Sequence, residues 1–261
     1  MLIDTHAHLF YKDYHGRLDD VFKRAADAGV GAVIVPGLDL PTSRQAVALA
    51  EQYDQVWAAV GVHPHDVEKA PANVLTELEA LAANEKVVAI GETGLDFYRN
   101  LSPADLQEGL FREHLELAAA LELPAIVHNR DADEALIRVL REVGHTSGVV
   151  HCFSSPPEFA RHVLEFGFLI SFTGTVTFPN STNPAVLRAV GLDRVMVETD
   201  SPYLAPAPRR GRTNEPAYVR LVAKKIAEVL ELDVEEVARI TTANARGLFT
   251  GLQGKIPGTS A

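Results

Sequence analysis

A closed (β/α)8 barrel is the fold this sequence predicts, and three observations predict it. Short apolar runs rich in Val and Ile alternate with longer stretches of helical periodicity. Eight such runs precede a final helical region, and 261 residues suit one domain of that size. Strict alternation of strand and helix implies a parallel sheet. A doubly wound open sheet, the competing arrangement, normally carries a Gly-rich phosphate turn after an early strand, and "HAHLFYKDYHG" is no such turn.

The strands are read in order at "MLIDTHAHL" from Met1, "GAVIVPGL" from Gly31, "VWAAVGVHP" from Val56 and "KVVAIGE" from Lys86. They continue at "PAIVHN" from Pro124, "SGVVHCF" from Ser147, "FGFLISFTG" from Phe166 and "RVMVETD" from Arg194. Between them "LDDVFKRAADAG", "TSRQAVALAEQ", "PADLQEGLFREHLELAAAL", "DADEALIRVLREVG" and "PPEFARHVLEF" carry helical periodicity, and Gly29, Gly144 and Gly167 stand where helices should stop. A Pro- and Arg-rich loop follows the eighth strand, then "PAYVRLVAKKIAEVLEL" and "VEEVARITTANARGLF", so the barrel carries an extra C-terminal helix. Residues 1–250 make one domain; residues 251–261, with Gly and Pro and no apolar periodicity, read as a frayed tail.

Composition narrows the function. A net charge of -11 argues against broad wrapping of duplex DNA, which needs many Lys and Arg contacts to phosphate, but leaves room for a small site that accepts a few nucleotides. No apolar run approaches the roughly 20 residues that cross a bilayer, and no basic segment with an apolar core opens the chain. The single cysteine, Cys152, excludes an intramolecular disulfide. These features point to the cytoplasm, with no membrane or obligate protein partner, and a monomer suffices for them.

In a barrel enzyme the active site gathers at the C-terminal ends of the strands. Those ends read His6 and His8, then His63 and His65, then Glu92, His128, His151 and Asp200; strands two and seven end without a ligand. Each residue alone has an ordinary structural reading. Their convergence at one level of one barrel does not. Four histidines and two carboxylates exceed one tetrahedral zinc and suit two divalent ions sharing a carboxylate and a water. Imidazole with carboxylate fits zinc, then manganese, with magnesium also compatible.

The blocks "IDTHAHL", "VGVHPH", "AIGETGLDFYR", "PAIVHNRDA", "VVHCFSS", "VETDSPYLAP" and "RTNEPAYV" run in order along nearly the whole chain, and together they resemble the TatD family of metal-dependent deoxyribonucleases within the amidohydrolase-like barrels. The resemblance implies His6, His8 and Asp200 on one ion, His128 and His151 on the other, and Glu92 bridging them. Ser155 departs from the glycine common in the family after "FS" and implies only a local loop change. Many amidohydrolases bridge their metals with a carbamylated lysine; here Lys86 stands at the wrong end of the fourth strand, and Glu92 bridges without modification.

Around this set, Glu198 shares the parity of Asp200 and reads as a carboxylate that orients a ligand or water, with Asp4 a weaker instance of the same role. Asp200 is the candidate general base. His63 points inward as a partner for the scissile phosphate, whereas His65, beyond Pro64, caps a helix, meets solvent or joins the site. Arg130 is placed to fork onto a phosphate, and Arg209, Arg210 and Arg212 form an anion attractor at the barrel mouth. Phe97, Tyr98 and Tyr203 lie on mouth loops and offer stacking surfaces for unpaired bases. His114 reads as structural, and Cys152 alternates away from His151 toward the helices.

The function expected is hydrolysis of DNA phosphodiesters in repair or degradation, at single-stranded or frayed ends, by in-line attack of a hydroxide held between two metals. The alternative is hydrolysis of a carbon ester or amide, such as deacylation of a D-aminoacyl-tRNA. A barrel that holds metals only for stability is disfavoured, because unpaired inward-facing carboxylates are costly.

Overall fold

Eight parallel strands hydrogen-bond in strict chain order in the computed structural model of the protein, which describes residues 1–252. They are β1 (Leu2–Asp4), β2 (Val30–Pro36), β3 (Val56–Val60), β4 (Val87–Asp96), β5 (Ala125–Arg130), β6 (Gly148–Val150), β7 (Leu169–Phe172) and β8 (Val195–Val197). The ring closes beyond the ladders: Thr5 N donates to Val197 O, Asp200 N to His6 O, and His8 N to Ser201 O. The fold is a single-domain (β/α)8 barrel.

The outer layer consists of α1 (Leu18–Asp27), α2 (Leu40–Gln52), α3 (Val74–Ala82), α4 (Ala104–Ala120), α5 (Asp133–Val143), α6 (Pro157–Phe166), α7 (Asn183–Val190), α8 (Val219–Leu230) and α9 (Val234–Leu248). The short helices α3 and α7 were not among the segments singled out by periodicity. At nine and eight residues they offer little more than two turns to read. Gly144 and Gly167 terminate α5 and α6 in the left-handed conformation that a glycine adopts without a Cβ penalty.

Two apolar layers hold the barrel. Outside, the strands pack on the helices through side chains such as Val35, Val60, Leu115, Leu136 and Ile226, all buried. Inside, Ile3, Ile34, Trp57, Ile126, Val149 and Met196 fill the lumen. Ala245 and Phe249 from the end of α9, with Leu252 just beyond, join this inner cluster. The extra helix therefore seals one end of the barrel with apolar surface and leaves the polar groups to the other. Leu252 is fully buried, so the expected tail does not begin at residue 251; residues 253–261 lie outside the described part.

His114 on α4 is structural. Its Nδ1 donates to Leu110 O at 2.7 Å and its Nε2 accepts from Val62 N at 3.1 Å. Burial lowers its pKa to about 4, because the charged ring would lose water and also the Val62 bond. An unfolded histidine protonates near 6.5, so between about 4 and 6.5 the unfolded chain binds the extra proton. The stability held by neutral His114 is therefore full above pH 6.5 and is lost as pH falls toward 4, a swing of about 3 kcal/mol. His114→Gln keeps one donor and one acceptor without titrating. Urea unfolding of metal-stripped protein at stepped pH should show the variant losing about 3 kcal/mol less than the wild type over that window.

Candidate metal centre

Glu92 lies within β4, not at its end. The β4–β5 register slips between Ile90 and Thr93, which pair with Ala125 and Val127, and Glu92 falls in this irregularity. Its backbone N donates to Gly37 O instead of joining the ladder. Such a break re-aims a side chain. The strand then continues beside β5 through Gly94 opposite His128, where an added Cβ would run into the His128 carbonyl. Glycine there lets the strand carrying Glu92 lie tight against the strand carrying His128.

The carboxylate of Glu92, 2% exposed, has one oxygen turned toward each of two groups of side chains. Oε2 is 3.1 Å from His6 Nε2 and 3.6 Å from His8 Nε2. Those two nitrogens are 3.2 Å apart, and Asp200 Oδ1 stands 3.9 and 3.4 Å from them. Oε1 is 2.9 Å from His151 Nε2, 3.2 Å from His128 Nδ1 and 3.3 Å from His63 Nε2. Donor atoms sharing a cation through bonds of about 2.1 Å stand roughly 3.0–3.4 Å from one another. By that spacing the donor atoms form three overlapping groups suited to a divalent cation: His6, His8 and Asp200; His6, Glu92 and His151; and His63, Glu92 and His128.

The far side of each ring is equally informative. His8 Nδ1 meets Pro36 O at 3.3 Å, His151 Nδ1 meets Glu198 Oε1 at 3.3 Å, and His128 Nε2 meets Asp96 Oδ2 at 3.2 Å. A ring that gives its proton to an outer acceptor presents a lone pair at its other nitrogen. His63 is turned the other way. Its Nδ1 accepts from the backbone N of His65 at 3.1 Å, so its Nε2 bears the proton. His63 faces Glu92 as a donor rather than a ligand. Only His6 Nδ1 lacks a partner among these rings.

Glu198 also accepts from Cys152 N at 2.7 Å and Ser171 Oγ at 2.6 Å, which ties the His151 turn to β7 and β8. Asp4 meets the cluster only through the backbone, accepting from His6 N at 3.4 Å. It accepts from Thr199 N at 2.8 Å and contacts Thr199 Oγ1 at 2.6 Å, steadying the residue before Asp200. Burial pushes Asp4 up to about 8, against the pull of those Thr199 bonds. β2 and β7, whose ends carry no ligand, contribute the Pro36 and Gly37 carbonyls and the Ser171 hydroxyl.

Burial alone would raise the pKa of Glu92, yet the imidazoles, led by His151, hold it well below the usual carboxylate range. Burial opposes the charged form of His151 too, but Glu92 and Glu198 outweigh it and raise that ring well above its ordinary value. His6, with burial and the His151 charge acting together, is lowered. Burial drops His63 to about 4, so it stays neutral at physiological pH. Asp200 is lowered despite burial, through its bond to His8 and the nearby rings, and is ionised.

These groups form the floor of a cavity of about 880 Å³ at the mouth of the barrel. His65 lines it, its Nε2 2.8 Å from Asp96 Oδ2 and its side chain 27% exposed, so it joins the site. Arg130 lines it with its guanidinium 3.9 Å over the Tyr98 ring, and Tyr11, Phe178 and Tyr203 form other parts of the wall. Phe97 lies instead in a separate pocket beside α5.

The arginine-rich loop departs from expectation. Among the described residues, the arginines lining the cavity are Arg99 and Arg130. Arg209 lies over Tyr218 and Arg210 over Phe178, while Arg212 lines another pocket with Arg17 and Arg24. Asn214 causes this by donating to Thr199 O and Tyr203 O, which folds the loop back on itself. Cys152 departs as well. The ladder stops at Val150 and the residue adopts a φ of 45°, so Cys152 lines the cavity, with its Sγ 3.7 Å from Thr173 Oγ1 at the end of β7. Burial and the nearby Asp200 and Glu198 raise its pKa well above the usual value, which keeps it protonated. Sequence reading passed over Arg99, Tyr11 and Phe178 in the cavity wall, and Asp96, although Asp96 stands in the same "GETGLD" block as Glu92.

A family profile described as TatD related DNase matches residues 3–250. The uncharacterized metal-dependent hydrolase YabD of Bacillus subtilis is 44% identical over 252 residues, which is 95% of this chain and 99% of YabD. A protein of Citrobacter rodentium named 3'-5' ssDNA/RNA exonuclease TatD is 38% identical, over 92% of this chain and 93% of its own. Among solved structures, the TatD homolog YjjV of Escherichia coli K12 superposes with a TM-score of 0.91 at 32% identity, over 95% of this chain and 98% of that one.

Cation binding at this cluster has a thermal signature. At 100 times its dissociation constant, a ligand adds about 2.7 kcal/mol to stability, or about 5–10 °C of Tm for a chain of this size. Adding Mn²⁺ or Zn²⁺ to metal-stripped protein should raise Tm by that amount in scanning calorimetry, and Glu92→Ala should abolish most of the rise.

Proposed function

The chain belongs to the TatD family of metal-dependent hydrolases, and from that premise we propose that it hydrolyses phosphodiester bonds in DNA, releasing nucleotides from single-stranded or frayed ends. The observation that carries this reading is the floor of the cavity. Five imidazoles face the two oxygens of one buried carboxylate, with Asp200 beside them. The substrate is supported by the name of the Citrobacter rodentium relative and by the walls. Arg99 and Arg130 supply positive charge, and Tyr11, Tyr203 and Phe178 supply aromatic surface, in a cavity sized for a few nucleotide units.

Two divalent ions held by His6, His8, Asp200, Glu92, His128 and His151 would supply Lewis acidity toward the phosphoryl oxygens and lower the pKa of water. The chain's own groups do the rest. Arg130 holds a phosphate with its planar fork. His63, neutral and with its Nε2 proton directed into the site, donates to a phosphoryl oxygen. Asp200, ionised and at the floor, takes the proton of the attacking water as the water oxygen bonds to phosphorus and the ester oxygen leaves. Glu198 keeps His151 oriented. Tyr203 and Tyr98, both more than half exposed, stack on unpaired bases. A paired end must unstack before it enters so confined a space, which favours single strands. The reading has the enzyme acting as a monomer in the cytoplasm.

End-labelled single-stranded DNA incubated with the protein and Mg²⁺ or Mn²⁺ should shorten from one end, and chelation with EDTA should stop it. Asp200→Asn should lower the rate by about 10²–10⁴-fold, the span typical of a lost general base. A protein that leaves the oligonucleotide intact and instead releases the amino acid from a D-aminoacyl-tRNA overturns the proposal in favour of carbon-ester hydrolysis.

A further inference from the structure

The side chain that decides how His128 can serve stands behind it. We propose that Asp96 is a positioning residue: its carboxylate holds the Nε2 proton of His128 and thereby commits the ring to bind a cation through Nδ1. Asp96 is fully buried at the end of β4. The Gln107 side chain brackets its backbone, accepting from Asp96 N at 2.8 Å and donating to Asp96 O at 3.3 Å. Oδ1 accepts from Arg99 N at 2.8 Å. That leaves Oδ2, which is 3.2 Å from His128 Nε2 and 2.8 Å from His65 Nε2.

An ionised carboxylate only accepts hydrogen bonds. Both rings must therefore turn an N–H toward Asp96, and the remaining lone pair of His128 lies at Nδ1, 3.2 Å from Glu92 Oε1. The opposite tautomer would set a lone pair against a buried negative charge. The arrangement extends one residue further. His65, held by Asp96, carries the backbone N–H that occupies His63 Nδ1. The three rings pack together, with His63 and His128 centroids 4.6 Å apart and His63 and His65 centroids 4.3 Å apart. One carboxylate thus sorts neighbouring imidazoles of one chemical type into a ligand, His128, and a donor, His63. An outer carboxylate of this kind is typically worth 10–100-fold in metal affinity.

The inference rests on the cation-binding reading above, and its test separates the two. Zn²⁺ is titrated into the full, metal-stripped chain by competition with a chelating dye, and ring ¹⁵N shifts are recorded on the Zn²⁺-loaded protein. Wild type should take up two ions, with His128 metallated at Nδ1 and its Nε2 proton slow to exchange. Asp96→Asn should weaken one of the two sites by about 10–100-fold and leave the other within threefold. In a His128→Ala background, Asp96→Asn should add nothing, because the bond it acts through is already gone. Three results would overturn the proposal on its own: His128 metallated at Nε2 in the wild type, unchanged affinities in Asp96→Asn, or a full additive loss in the double variant. Wild type that takes up no Zn²⁺ overturns the functional reading and this one with it.

Discussion

The structure is organised around a cost. Glu92 brings a buried, ionised carboxylate to the bottom of the cavity with partly exposed Asp200 beside it, and an isolated charge at Glu92 would be unaffordable. Five imidazoles around the two oxygens of Glu92 offset it, led by His151, whose pKa is raised well above its ordinary value. The same gathering of donor atoms suits a divalent cation.

The barrel solves this by dividing its labour along its axis. One end is closed by Phe249 and Leu252 on an apolar lumen that contains Trp57 and Met196. That end carries cohesion. At the other end the ladders stop early: β1, β6 and β8 are three residues long, and the chain runs on as loops carrying His6, His8, His151 and Asp200. Backbone bonds from Thr5, His8 and Asp200 to their partners across the seam close the ring at the very residues that build the site. Closure and ligand placement are one event there. The strands without ligands are not idle, since β2 and β7 supply the carbonyls and the hydroxyl that orient Glu92, His8 and Glu198.

Around the floor, charge is placed sparingly. In a chain of net charge -11, Arg99 and Arg130 are the arginines the cavity wall presents among the described residues, and Arg130 is held over Tyr98. A fixed guanidinium loses less freedom on binding a phosphate than a free one would. The loop after Asp200, richest in arginine, is tied down by Asn214, which leaves Tyr203 in the cavity wall while Arg209 lies over Tyr218 and Arg212 lines another pocket.

The alternation of apolar runs and helical stretches was enough to determine the barrel, because each strand and helix must bury one face and the chain has only a few ways to do so. Reading polar residues at strand ends was enough to collect the histidines and carboxylates now seen around Glu92, because every β/α unit delivers its C-terminal end to the same rim. Direction along the chain was less legible. Parity misled for Cys152, where a positive φ reverses the side chain, and it is only part of the account for His6 and His8. Ile3 is the residue of β1 in the inner cluster, and the two histidines, of opposite parity, come to the floor because the regular ladder has already ended. The outer hydrogen-bond partner of each ring, the approach of Asp96 to His128 and His65, and the placing of Arg209 and Arg212 away from the cavity were decided by tertiary structure alone. Each depends on a hydrogen bond, close approach or loop closure between segments far apart in the chain, and no local pattern encodes the partner at the other end.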